Sequence, residues 1–171
     1  MDILAELRKK AFKNQVNNLV CYIGNNPFRF RVLMDAFIQG PYRITQRAAW
    51  PLSYCSENYP ELLKPYLGNL LKIVSHRDTA VALKRNIIRL LQFVDIPAKF
   101  QGSVLTICYT LLTSRTETRA VKVFAMTVLS NIALKQPSLA RELVLILEDH
   151  LPYASPGYRS RALKIIARHK K

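Results

Sequence analysis

The side chains best placed to do chemistry in this chain are basic ones. Arg43, Arg47, Lys84, Arg85, Arg89, Arg119, Lys122, Arg159, Arg161, Lys164 and Arg168 fall in four stretches, 43–55, 79–94, 116–134 and 157–169. Those stretches hold a single acid, Glu117. Cations gathered without counter-charge attract polyanions: nucleic-acid phosphates, acidic protein segments or an anionic membrane surface. The whole chain leans the same way, with 26 Lys and Arg against 11 Asp and Glu and a formal charge of +15. An excess of base also keeps a protein soluble without binding anything.

Other chemistry lacks a constellation. His76, His150 and His169 are far apart, and none stands in a metal-ligand spacing. Glu148-Asp149-His150 gathers two carboxylates and an imidazole, but neighbours on a helix point in different directions, so a solvated helix end is expected. The five glycines form neither of the phosphate-cradling patterns, and no nucleophile elbow is present. No metal and no cofactor is expected. Tyr42, Tyr54, Tyr59, Tyr66, Tyr109, Tyr153 and Tyr158 are scattered among the bases. Tyrosine beside arginine suits stacking on a ligand, and equally suits packing between helices with the hydroxyl at the rim.

The elements that carry these residues repeat. Arg47-Ala48-Ala49-Trp50-Pro51-Leu52, Arg85-Asn86-Ile87-Ile88-Arg89-Leu90, Lys122-Val123-Phe124-Ala125-Met126-Thr127 and Arg161-Ala162-Leu163-Lys164-Ile165-Ile166 align, at steps of 38, 37 and 39 residues. Pro60, Pro97 and Pro137 keep the same beat, 37 and 40 apart. A period of this size marks a helical solenoid, in which each helical pair must bury its apolar face on a neighbour. The expected fold is an all-α solenoid of four antiparallel hairpins, 27–58, 60–95, 97–135 and 137–169, in one domain spanning 1–171.

Residues 2–23 place Leu4, Leu7, Ala11, Phe12, Val16, Leu19, Val20 and Ile23 at helical spacing, interrupted by Arg8, Lys9, Lys10 and Lys13. One capping helix over the first hairpin is expected there, within 1–24. Asn26-Pro27 reads as an N-cap with proline at the first helical position, and Gly40-Pro41 as a stop. Asp78, the box Ser114-Arg115-Thr116-Glu117 and Ser155-Pro156 should start the later second helices. Pro51 and Pro65 fall inside helical patterns and should bend or break them. The polar end Arg168-His169-Lys170-Lys171 suits the last face of a stack.

Bases and acids sort by helix. Against eleven to one in the second helices, the three later first helices carry Lys64, Lys72, Lys99 and Arg141 against Glu61, Glu142, Glu148 and Asp149. Second helices of stacked hairpins line the concave side, so a basic trough is expected. Arg47, Arg85, Lys122 and Arg161 share one repeat position, where a base can bridge to the next hairpin or to helix C-terminal carbonyls. They therefore read as a structural ladder and as an anion-binding one alike. Arg43, Arg89, Arg119, Arg159 and Lys164 stand outside that position and are the stronger binding candidates.

Composition excludes several classes. The longest apolar stretch, Val104 to Leu112, is broken by Thr106 and Thr110 and is far short of the ~20 residues of a membrane span. The opening Met1-Asp2-Ile3-Leu4-Ala5-Glu6 has acids where a secretory signal has bases. Cys21, Cys55 and Cys108 are odd in number and set in apolar surroundings. They read as reduced core thiols of a cytoplasmic protein. A monomer is expected.

From about Tyr42 to Arg168 the chain resembles HEAT-like (armadillo-type) repeat proteins, and more closely a group of small bacterial HEAT-like proteins without a settled activity. The segments that carry this are Arg47-Ala48-Ala49-Trp50, Tyr59-Pro60-Glu61-Leu62-Leu63, Lys122-Val123-Phe124-Ala125-Met126 and Tyr158-Arg159-Ser160-Arg161-Ala162. The resemblance implies a protein-binding surface. Members of the group sometimes carry the label adenylosuccinate lyase, but that enzyme needs a Ser-Ser-x-Met-Pro-x-Lys loop that this sequence lacks. The fold is also similar to that of HEAT-like alkylpurine DNA glycosylases, whose concave basic surface holds tryptophans and an aspartate. Trp50 and Arg89 match superficially, yet Tyr54 stands one turn after Trp50 where the aspartate would be. Without it nothing stabilises the cation formed as the glycosidic bond breaks.

The sequence thus predicts a non-catalytic binding or scaffold module. Its binding residues would be Arg43, Arg47, Trp50, Arg85, Arg89, Arg119, Lys122, Arg159, Arg161 and Lys164, and its partner an acidic protein segment. Sequence-nonspecific binding of a nucleic-acid backbone is the alternative, and a glycosylase relative a further one.

Overall fold

A computed structural model describes residues 1–9, 12–76 and 78–170. Lys10 and Ala11 of the first helix pattern, and Lys171 of the basic end, lie outside them. Every regular element among the described residues is helical. The ten α-helices are α1 (Ile3–Arg8), α2 (Lys13–Ile23), α3 (Pro27–Gln39), α4 (Tyr42–Asn58), α5 (Leu67–Ser75), α6 (Val81–Leu91), α7 (Ala98–Thr113), α8 (Arg119–Ala133), α9 (Pro137–His150) and α10 (Pro156–His169). Short 3₁₀ turns occupy Pro60–Leu62, Lys64–Tyr66 and Leu151–Tyr153.

Local chemistry sets several boundaries. The Asn26 side chain accepts the Arg29 amide at 3.0 Å, and Pro27 opens α3 where its missing N–H costs nothing. Pro137 and Pro156 open α9 and α10 in the same way. Gly24 ends α2 with φ of +51°, a left-handed backbone that a side chain would strain. Gly40 ends α3 for another reason. Its φ is −68°, but a Cβ there would lie 2.3 Å from the Ala36 carbonyl oxygen.

Other expectations need correction. The single capping helix over 2–23 is two helices. Asp2 caps α1 by accepting from the Leu4 and Ala5 amides, and the chain turns extended at Lys9 and again at Phe12 before α2. The break rephases the apolar stripe: Ile3 and Leu7 are buried, while Leu4 and Phe12 face outward. The box at Ser114 does not cap α8. Ser114 Oγ accepts the Thr116 amide at 3.3 Å and the Glu117 carboxylate accepts the Thr118 amide at 2.9 Å, so the helix starts later, at Arg119. Asp78 likewise precedes α6 without capping it, since Ala80 holds the cap position. α4 runs on through Pro51, whereas Pro65 sits in a 3₁₀ turn and delays α5 to Leu67.

The chain forms two compact units, Met1–Val94 and Asp95–Lys171. In the first, α4 packs against α1, α2, α3 and α6. Its buried face sets Leu52 among Ala48, Ala49, Ser53, Cys55 and Ser56, small residues that let four neighbours approach closely. Phe30, Leu33, Met34 and Phe37 of α3 fill the space against it. In the second, α8 plays the same part, packing on α7, α9 and α10 through Val121, Ala125, Met126, Val128 and Leu129. A half-buried period of this kind is why neither helix is stable alone. Of the three cysteines, Cys55 and Cys108 are core residues, but Cys21 is exposed on the outer side of α2, against expectation.

Candidate functional site

The observed ends of the helices alter the charge ledger in one respect. α4, α6, α8 and α10 together hold the eleven bases and one acid, but the acid is Glu57 at the end of α4, with Glu117 left in the loop before α8.

The aligned base position divides. In the first unit Arg47 donates from one guanidinium nitrogen to the carbonyls of Leu7, at 3.3 Å, and Arg8, at 2.5 Å. Those are orphan acceptors of the α1 C-terminus, where a cation is favoured by the helix dipole. Gln15 reaches the neighbouring Glu6 carbonyl at 2.9 Å and the Glu6 carboxylate at 3.1 Å. In the second unit Arg161 donates to the Thr127 hydroxyl at 3.1 Å. The side chains of Arg85 in the first unit and Lys122 in the second make no hydrogen bond or ion pair among the described residues. Two members of the ladder therefore bridge elements, and the side chains of the other two are unpaired among the described residues, Arg85 exposed and Lys122 half-buried.

The remaining candidates also separate. In the first unit Arg43 is exposed on α4, and Arg89 is half-buried on α6. Trp50 is 36% exposed on α4 and has no aromatic or cation–π contact among the described residues. In the second unit Arg119 and Lys164 are exposed and unpaired, while Arg159 donates to the Leu151 carbonyl at 3.3 Å. Arg168 donates to Asn131 at 3.1 Å.

The second unit also contains a cleft of about 260 Å³ lined by Arg119, Lys122, Asp149, His150, Tyr153, Ala154, Ser155 and Tyr158. His150 Nδ1 and the Tyr158 hydroxyl are 2.7 Å apart. Burial pushes the Tyr158 phenol up to about 12, so it stays protonated and keeps that bond. Glu148 turns away to pair with Lys170 at 2.5 Å. Thus the run Glu148-Asp149-His150 is split between an ion pair and a cleft. The short 3₁₀ turn between them brings His150 to Tyr158 by folding α10 back beside the end of α9, and no spacing in the sequence marks the pair.

The tyrosines are used mostly inside the units. Tyr66 packs on Phe30 with ring centroids 5.8 Å apart, and burial pushes the Tyr109 phenol up to about 12, with Glu142 adding to the shift. Tyr22 carries the Arg29 guanidinium 4.1 Å above its ring, a pair that no repeat signal marks. Tyr153 is 93% exposed at the cleft. His169 bonds Ser130 at 2.8 Å, joining α10 to α8. Among the described residues there is no group of three or more His, Cys, Asp or Glu that could hold a metal, and no helix long and apolar enough to cross a membrane.

Helices of this length, packed in pairs and carrying a residue ladder at a period near 38, define an all-α helical repeat protein. A family model for the HEAT repeat domain matches residues 3–169, and the chain belongs to that family. It carries no support for the lyase label. Comparison with curated proteins gives no match, and comparison with solved structures gives none.

Proposed function

We propose that this HEAT repeat chain is a non-catalytic binding or scaffold module whose second-helix bases receive an acidic segment of a partner protein. Family membership supports protein interaction as the general role, since stacked repeats serve as extended binding surfaces. The observation that carries the charge preference is the eleven-to-one ratio on α4, α6, α8 and α10. The side chains of six of those bases, Arg43, Arg85, Arg89, Arg119, Lys122 and Lys164, have no hydrogen bond or ion pair among the described residues. Unpaired cations keep their charge for an incoming partner at little cost, whereas Arg47 and Arg161 would first have to leave bonds they already make. Trp50 offers an aromatic anchor beside the cations of the first unit.

A salt titration of the wild type and an Arg43/Arg85/Arg119/Lys164→Ala variant tests this, with an acidic peptide pool, single-stranded DNA and duplex DNA as ligands. The reading expects peptides to bind with a shallow salt dependence and a preference for particular apolar residues, and the variant to bind them weakly. Preference for the duplex, with a slope of log K against log salt of about −4 to −5, assigns the bases to a nucleic-acid backbone instead. No binding of any ligand at about 50 mM salt makes the bases a solubility device and ends the proposal.

A further inference from the structure

We propose that the cleft between the first turn of α8, the end of α9 and the start of α10 is a binding site for a phosphomonoester dianion. It does not depend on an acidic protein partner, and it stands if the peptide titration fails.

Size comes first. At about 260 Å³ the cleft is smaller than the ~300–1,000 Å³ of most small-molecule sites, so it fits an end group or a compact metabolite. Charge comes second. Arg119 and Lys122 stand three residues apart on α8, on one side of that helix, and neither has an ion partner among the described residues. Two unsatisfied cations facing one small space favour a ligand with two negative charges over a carboxylate with one. Donor count points the same way. α10 runs for 14 residues, and its cap residue Ser155 spends no side-chain bond on it, so the first-turn amide of Tyr158, on the cleft lining, has no acceptor among the described residues. Together with the guanidinium and ammonium groups and the imidazole of His150, that exceeds what two carboxylate oxygens accept. It suits the three terminal oxygens of a monoester.

The Tyr158 hydroxyl holds the imidazole at 2.7 Å, which fixes His150 against the wall before a ligand arrives. Asp149 is the one carboxylate on the lining. It is exposed, where water screens its repulsion of the anion. The exposed ring of Tyr153 would cover whatever carries the phosphate.

Amide chemical shifts in about 150 mM salt would test the site, with methyl phosphate, acetate and a phosphoserine peptide as probes. Methyl phosphate should give saturable shifts confined to residues 118–123 and 149–159, and acetate should bind at least about tenfold more weakly. Arg119→Gln and Lys122→Gln should each weaken methyl phosphate about tenfold, while Lys72→Gln, exposed on α5 in the other unit, leaves it unchanged. Equal affinity for methyl phosphate and the peptide assigns the site to free monoesters, and much tighter peptide binding assigns it to a phosphorylated side chain; both support the site. Shifts that follow every base in the chain without saturating would overturn it. So would a folded Arg119→Gln/Lys122→Gln variant that binds like the wild type.

Discussion

Replacing Arg47 by alanine should loosen α1 without touching the rest of the first unit's core. Two carbonyls at the α1 C-terminus, Leu7 and Arg8, lose their donor, while Gln15 still serves Glu6. A hydrogen bond from a charged group contributes ~1.5–3 kcal/mol where it is sheltered. Here Arg8 is exposed and its carbonyl can turn to water, so only the part-buried bond to Leu7 and the helix-dipole attraction are lost in full. The expected loss is therefore roughly 1–2 kcal/mol, or a fall in Tm of about 2–8 °C for a chain of this size. Arg47→Lys keeps the charge but not the fork, and should recover about half. The local assay is hydrogen exchange: amides of α1 should exchange faster in Arg47→Ala, and those of α8 should not change. Arg43→Ala is the control, because Arg43 is exposed on the same helix with no bond to lose. If Arg47→Ala costs no more than Arg43→Ala, the bridge to α1 contributes nothing, and the repeat position is not structural even where it looks most so.

Glycine and thiol chemistry give independent checks. Gly40→Ala would place a methyl 2.3 Å from the Ala36 carbonyl and 3.0 Å from Ile44 and should cost ~1–3 kcal/mol, whereas Gly102→Ala in α7 meets nothing within 4 Å and should gain roughly 0.5–1 kcal/mol; urea unfolding reads both. Cys55 and Cys108 are buried and their thiols pushed up to about 12, so a thiol reagent should titrate one cysteine, Cys21, in the native protein and three in denaturant. Burial first, then the Arg168 charge, holds His169 below its ordinary 6.5, against an opposing contribution from Ser130. As pH falls below 6.5 the unfolded chain takes up this proton before the folded one, so the contribution is present above 6.5 and is lost as pH falls through the folded value. The urea midpoint should therefore drop less between pH 7.5 and 5.5 in His169→Gln than in the wild type.

The helical class and the family were legible because they rest on signals that repeat. Bases near a period of 38 and prolines near the same period mark helix pairs whatever the packing between them. Starts at Asn26-Pro27, Pro137 and Ser155-Pro156 were legible because proline at the first helical position is a local signal, joined at Asn26 alone by a side-chain cap. The break between α1 and α2 was not, since it falls in a run of bases without glycine or proline, and only burial of Ile3 in place of Leu4 reveals the changed phase. Ser114 carried the letters of a capping box, yet its hydroxyl serves a tight turn that competes with the helix for the same amides. The division of the aligned bases was out of reach as well. Whether Arg47 meets a carbonyl depends on where α1 ends, 39 residues earlier in the chain, and no spacing encodes that. The cleft escaped for a related reason: Lys122 and Tyr158 belong to different repeats, and the sequence places them side by side only once the turn at Leu151–Tyr153 is known.

Trp50 is the one tryptophan of the chain, and it belongs to the unit that ends at Val94. Its emission is thus a signal from that unit, and the other unit is dark at the same wavelength apart from tyrosine. A denaturation curve followed by tryptophan fluorescence would measure the first unit, while ellipticity at 222 nm would average both. Where the two curves coincide, the chain unfolds as one cooperative block; where they part, its two halves differ in stability, and the side on which the tryptophan curve falls says which half gives way first. A single indole in α4 thereby makes the cooperativity of the repeat array readable without any label.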